Sequence, residues 1–190
     1  MKDRMPAIRT IACLALSAVL TACASINAAP YTPSVDNLQI LKSAGEIKTR
    51  VRTFDSAGTD DNPYPVHLRA ARMKSPVGDS FGAYLSNALE QEFAISGAIS
   101  SEAKVEVSGA LLKNDIDAAI SKGTGEISAR FVVRRGSGVV YDSIKTASET
   151  WDSSFAAIVA IPAATAAYPH IVQKLLANLY ADPAFIQAIH

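Results

Sequence analysis

Two cysteines and three histidines are the most reactive side chains of this sequence, and their spacing excludes much of the chemistry they could share. His67, His170 and His190 stand apart from one another and from Cys13 and Cys23, so metal-ligand spacing is absent. No Gly-x-Ser-x-Gly elbow occurs, and a hydrolase would need the fold to carry His67 or His170 to a serine or aspartate. Asp55, Asp60, Asp61 and Asn62 crowd one loop with oxygen donors of the kind a hard cation takes. Their spacing does not match an EF-hand, and Pro63 and Pro65 point to turn chemistry instead. Gly123-Thr124-Gly125 is too short to cradle a phosphate, and Lys74-Ser75-Pro76-Val77-Gly78 lacks the glycine spacing and terminal Lys-Ser/Thr that a phosphate loop uses. The expectation is no catalytic residue, no metal site and no cofactor.

The thiol of Cys23 is different, because its context assigns it a reaction. Met1 to Arg9 carries Lys2, Arg4 and Arg9, and Thr10 to Leu20 is almost wholly apolar or small. That run is too short for a bilayer span, which needs about 20 residues, and suits the core of a signal peptide. It ends in Leu20-Thr21-Ala22-Cys23, which resembles the bacterial lipobox. The resemblance implies a diacylglycerol on the Cys23 thiol, cleavage before Cys23, and a further acyl chain, palmitate for instance, on the new N-terminus. More than one chain is needed, since a single acyl group anchors only marginally. Ala24 stands where aspartate retains such proteins in the inner membrane, which implies the outer membrane, facing the periplasm. Removal of residues 1–22 also leaves Cys23 as the last cysteine, so no internal disulfide is expected.

The elements behind this terminus read as one domain. Ala24 to Ser34 is small and polar with Pro30 and Pro33, and residues 23–45 are expected to be the lipidated Cys23 and a flexible tether. Residues 46–190 then form the folded unit. Ile47–Phe54 is a strand by alternation, and Val66–Met73 is a second, less regular one. Phe81, Leu85, Leu89 and Phe93 recur every four residues, with Asp79 or Ser80 to cap and Gly97 to stop a helix. Three strands follow, over Ala103–Leu111, Gly125–Arg135 and Val139–Trp151, with a tight turn at Gly136-Ser137-Gly138. Phe155–Tyr168 is nearly all apolar, but too short for a span and interrupted by Pro162 and Pro169. It is expected to be a buried, kinked helix that continues through Leu179 to a last turn at Asp182-Pro183. The fold class is therefore α+β: an antiparallel sheet of four to five strands, covered by a central helix and a long, Pro-interrupted C-terminal helix.

Eighteen basic and 18 acidic residues cancel, so nothing draws the chain to nucleic acid. The small clusters Arg69, Arg72, Lys74 and Arg130, Arg134, Arg135 read as solvated faces. The lipobox, the helix Phe81–Phe93, the strand opening Val105–Leu111 and the ending Val172–Ile186 together resemble the YajG-type family of bacterial outer-membrane lipoproteins. That resemblance implies a compact α+β domain and carries over no catalytic residue. The expected role is a non-catalytic binding or envelope-assembly accessory, attached to the membrane by its lipid and meeting an envelope protein or polymer. The alternatives are an envelope hydrolase built on His67 or His170, and a small lipid or ligand carrier whose cavity is lined by Phe155–Tyr168.

Overall fold

The structure is a computed structural model and describes residues 24–56 and 58–190. In chain order the elements are β1 (Ala24–Asn27), α1 (Val35–Ser43), β2 (Thr49–Val51), β3 (Val66–Leu68), β4 (Ala71–Lys74) and α2 (Phe81–Ser96). They continue as β5 (Val105–Asp117), β6 (Lys122–Arg135), β7 (Gly138–Asp152), α3 (Ala157–Tyr180) and α4 (Pro183–Ile189).

The class α+β holds, but the single antiparallel sheet does not. Two sheets form, one of four strands in the order β2-β5-β6-β7 and one of three in the order β1-β4-β3. Both are mixed. β5, β6 and β7 make the expected antiparallel meander, while β2 lies parallel to β5 and β1 parallel to β4. The reason is connectivity: the long excursion through β3, β4 and α2 returns the chain to β2 in the same direction, as a crossover must. The meander is also longer than alternation alone suggests. A bulge between Leu111 and Lys113 shifts the phase of β5, so buried positions run Val105, Val107, Leu111 and then Asn114 and Ile116.

One face of the four-stranded sheet is dry. Val107, Ile127, Ala129, Phe131 and Val133 are fully buried there against Leu85, Leu89 and Phe93 of α2 and Ile171, Leu175 and Leu179 of α3. Ser80 caps α2 by accepting from the Ala83 amide, and Gly97 ends it in the left-handed region at φ 81°. α3 is one continuous helix with Pro162 and Pro169 inside it.

The expected tether is a packed part of the domain. β1 joins the smaller sheet, and Ala28, Tyr31, Asn37 and Leu41 are buried. Glu92, fully buried on α2, gathers this segment: its Oε1 accepts from the Tyr31 hydroxyl at 2.6 Å, the Ser34 amide at 3.0 Å and the Asn37 side chain at 3.1 Å. Tyr84 donates to the Ala29 carbonyl at 2.9 Å, and Gln173 to that of Thr32 at 2.7 Å. A buried carboxylate is tolerable only with such a set of donors. Burial and the neighbouring Glu92 carboxylate push the Tyr31 hydroxyl well above its ordinary range.

Candidate functional site

Cys23 lies outside the described residues. Ala24 does not: it opens β1, in register with Ala71 of β4. Residue 24 is therefore already part of the edge strand of the three-stranded sheet. A groove of about 320 Å³ runs beside that strand, lined by Ser25, Ile26, Ala71, Ala157, Ile158, Ile161 and Pro162.

This end of the molecule exposes large apolar side chains to solvent. Phe155 is 82% exposed, Ile158 85% and Val159 54%, and Ile120 in the β5–β6 loop is 63% exposed. The expected buried helix thus begins with five exposed residues, Phe155 to Val159, and enters the core only at Ala160. A period of 3.6 marks one face of a helix but not what covers it, and so the sequence does not reveal this exposure.

Arg69 holds the loops of this end together. Its guanidinium donates to the carbonyls of Ala118 at 2.5 Å, Ser154 at 2.7 Å and Phe155 at 2.9 Å. The Ser153 amide also donates to the Ser121 carbonyl at 2.9 Å. Arg69 itself sits at φ 53° in the turn between β3 and β4, a conformation that costs a non-glycine residue roughly 1 kcal/mol. The guanidinium read as one of a solvated basic cluster is instead a clamp. The second cluster is also partly engaged: Arg130 grips the Asp142 carboxylate with two N–H groups, and Arg135 donates to the Ala188 carbonyl at 3.3 Å.

The other expected chemistry is dispersed. His67 is exposed on β3 and lines a cleft of about 310 Å³ with Asp60, Asp61, Asn114 and Asp115. His170 is exposed on α3 in a separate cleft with Glu149, Lys174 and Ser34, whose hydroxyl caps α1 by accepting from the Asn37 amide. His67 and His170 thus line separate clefts, and among the described residues no group of three His, Cys, Asp or Glu is placed to hold a metal ion. In the acidic loop, the Asn62 amide donates to the Thr59 carbonyl at 3.1 Å, a turn, while its buried side chain donates to the Leu111 carbonyl at 3.0 Å and the Ser56 hydroxyl at 3.2 Å, tying the loop to β5. Ala157, Ile158, Ile161 and Pro162 line an open surface groove, while Ala160, Ala164 and Tyr168 are packed into the core.

A second electrostatic junction sits at the far end of α3. Asp182 caps α4 through the Ala184 amide at 2.9 Å, and its other oxygen accepts from Lys145 at 2.7 Å and Tyr141 at 2.9 Å. The Lys145 ammonium, helped by Tyr141 and that amide, lowers the carboxyl to about 2. No sequence pattern signals this pairing, because its partners are 37 and 41 residues apart.

Against known proteins, no family model and no curated protein sequence matches the chain. Solved structures do. Protein XCC0632 of Xanthomonas campestris, described as a DUF330 protein, superposes with a TM-score of 0.58 at 16% identity, over 82% of this chain and 92% of that one. The two share a fold. A structure from Caulobacter crescentus, described as a candidate lipoprotein, matches at a TM-score of 0.46 and 13% identity, over 80% and 96% of the two chains. That likeness is too distant to carry an argument. Among the described residues, no helix is long and apolar enough to cross a membrane.

Proposed function

We propose that this chain is a lipoprotein of the bacterial envelope, acylated on Cys23, sorted by Ala24 to the outer membrane and held facing the periplasm. There it acts as a non-catalytic binding or assembly accessory to an envelope protein or polymer. The observation that carries the reading is Leu20-Thr21-Ala22-Cys23 at the end of a signal-length apolar run, one residue before a packed domain. The YajG-type resemblance implies the same placement. The open face of the meander offers the partner a surface: a shallow depression of about 440 Å³ lined by Arg52, Glu106, Ser108, Arg130 and Arg134.

Fractionation of cells expressing the full chain tests the placement. Wild type is expected with the outer membrane, Cys23→Ala in the soluble or unprocessed fraction, and Ala24→Asp with the inner membrane. A wild type that stays soluble after processing overturns the anchor. An Ala24→Asp variant that remains in the outer membrane overturns the sorting role. Crosslinking in intact cells tests the accessory role, which predicts one recurrent envelope partner that is lost when Arg130 and Arg134 are replaced by Glu. Recovery of no specific partner contradicts it.

A further inference from the structure

We propose that the apolar rim made by Ile120, Phe155, Ile158 and Val159 is seated in the phospholipid surface, so that the anchored domain lies against the bilayer in one fixed orientation. The inference rests on the lipid anchor at Cys23 and adds what the domain does once anchored.

Three observations converge. The first is exposure: Phe155 and Ile158 are each more than four-fifths exposed, in a run of five exposed apolar residues, on a chain with an ample core elsewhere. Contiguous apolar surface of this kind marks an interaction site rather than ordinary scatter. The second is position. Ile158 and Ile161 share a groove with Ser25, Ile26 and Ala71, and Ala24 pairs with Ala71. The residue that follows Cys23 in the sequence is thus paired with a strand that lines the same groove as Ile158. The third is the lack of slack. β1 is hydrogen-bonded into a sheet directly after Cys23, the Ala28 amide donates to the Lys74 carbonyl at 2.9 Å, and Glu92 fastens the segment further on. Without a tether, the surface around β1 is the surface that meets the membrane.

The rim is also preformed. The Arg69 guanidinium ties the loop bearing Ala118 to the loop bearing Ser154 and Phe155, so Ile120 and Phe155 are presented together without an ordering step. Loss of residues 1–22, with three basic residues and one acidic, leaves 15 basic against 17 acidic, and Lys122 beside the rim is paired with Asp152 at 2.6 Å, so the attraction is apolar insertion and not headgroup charge. A few inserted side chains add to the acyl chains as a second membrane signal and, unlike them, set the angle of the domain.

The test uses the full chain, expressed, processed and purified, then reconstituted into vesicles of phosphatidylethanolamine and phosphatidylglycerol. Cys13 leaves with the signal and Cys23 is alkylated, so Ile158→Cys, Phe155→Cys and Ser137→Cys each offer a single free thiol for an environment-sensitive fluorophore. Ser137 sits in the β6–β7 turn, at the opposite end of those strands from Ile120. Labels at 158 and 155 are expected to shift to the blue and to lose at least half their intensity to nitroxide-labelled lipid, while resisting aqueous iodide. The label at 137 should do the reverse. With acylation verified by intact mass, equal iodide quenching at 158, 155 and 137 overturns the proposal. So does efficient crosslinking of the 158 thiols of two chains in the vesicle, which would assign the rim to a second copy. Failure of the anchor shows separately, as a protein that lacks acyl mass and does not float with the vesicles. All three labelled positions are exposed, and unchanged circular dichroism shows that the fold is kept.

Discussion

At Glu92 a single buried carboxylate fastens Tyr31, Ser34 and Asn37 to the domain. Removing it leaves the Tyr31 hydroxyl, the Ser34 amide and the Asn37 carboxamide without an acceptor they now use, in a buried place. Glu92→Ala is expected to destabilise the protein by about 3 kcal/mol. Amide exchange should quicken first in α1 and least in β6; uniform quickening would contradict the role. Asp182 makes a prediction with a pH sign. Its carboxyl falls from the ordinary 3.8 to about 2 in the fold, so its contribution is complete above pH 4 and fades as pH drops toward 2. The group is partly exposed, and solvent screening leaves about 1 kcal/mol. Asn keeps the cap but not the charge. Asp182→Asn should therefore be less stable by that amount at pH 7, with the gap narrowed at pH 2 and closed only below it, by denaturant midpoints. A difference that does not narrow between pH 5 and pH 2 would assign the effect to packing.

Among the elements, α2 shows why packing can override propensity. Alanine is the better helix former by about 1 kcal/mol, yet a Cβ at Gly82 would lie 2.5 Å from the Phe54 carbonyl oxygen and 3.0 Å from that of Asp55. Gly82→Ala is expected to cost about 2 kcal/mol in thermal or denaturant unfolding, and a stabilised variant would contradict the close approach. This helix was legible because Phe81, Leu85, Leu89 and Phe93 repeat at the helical period and all face the core. The meander was legible because its strands alternate. Parallel pairing was not, since the alternation of β2 says nothing about the direction of its neighbour. β1 is four residues long and carries no periodic pattern. α1 did leave signals, with Ser34 as its cap, Leu41 buried and Gly45 just beyond it at φ 96°, but Pro30 and Pro33 read as a linker and masked them.

The described residues form a two-sheet α+β domain whose first strand lies beside an apolar rim and whose charged sheet face stands open to solvent. The proposed anchor rests on a lipobox, which is local in sequence. The Arg69 clamp, the Glu92 hub and the exposed start of α3 were not legible there, because each depends on residues brought together over 49 positions or more, or on the absence of a covering element. The central claim is that Cys23 is the covalent attachment point, and the intact mass of the protein extracted from membranes tests it most directly. The account predicts a chain starting at Cys23 and heavier than the polypeptide by a diacylglycerol and a further acyl group, with Cys23→Ala lacking that addition. A wild-type chain that starts elsewhere, or starts at Cys23 with no added mass, would contradict it.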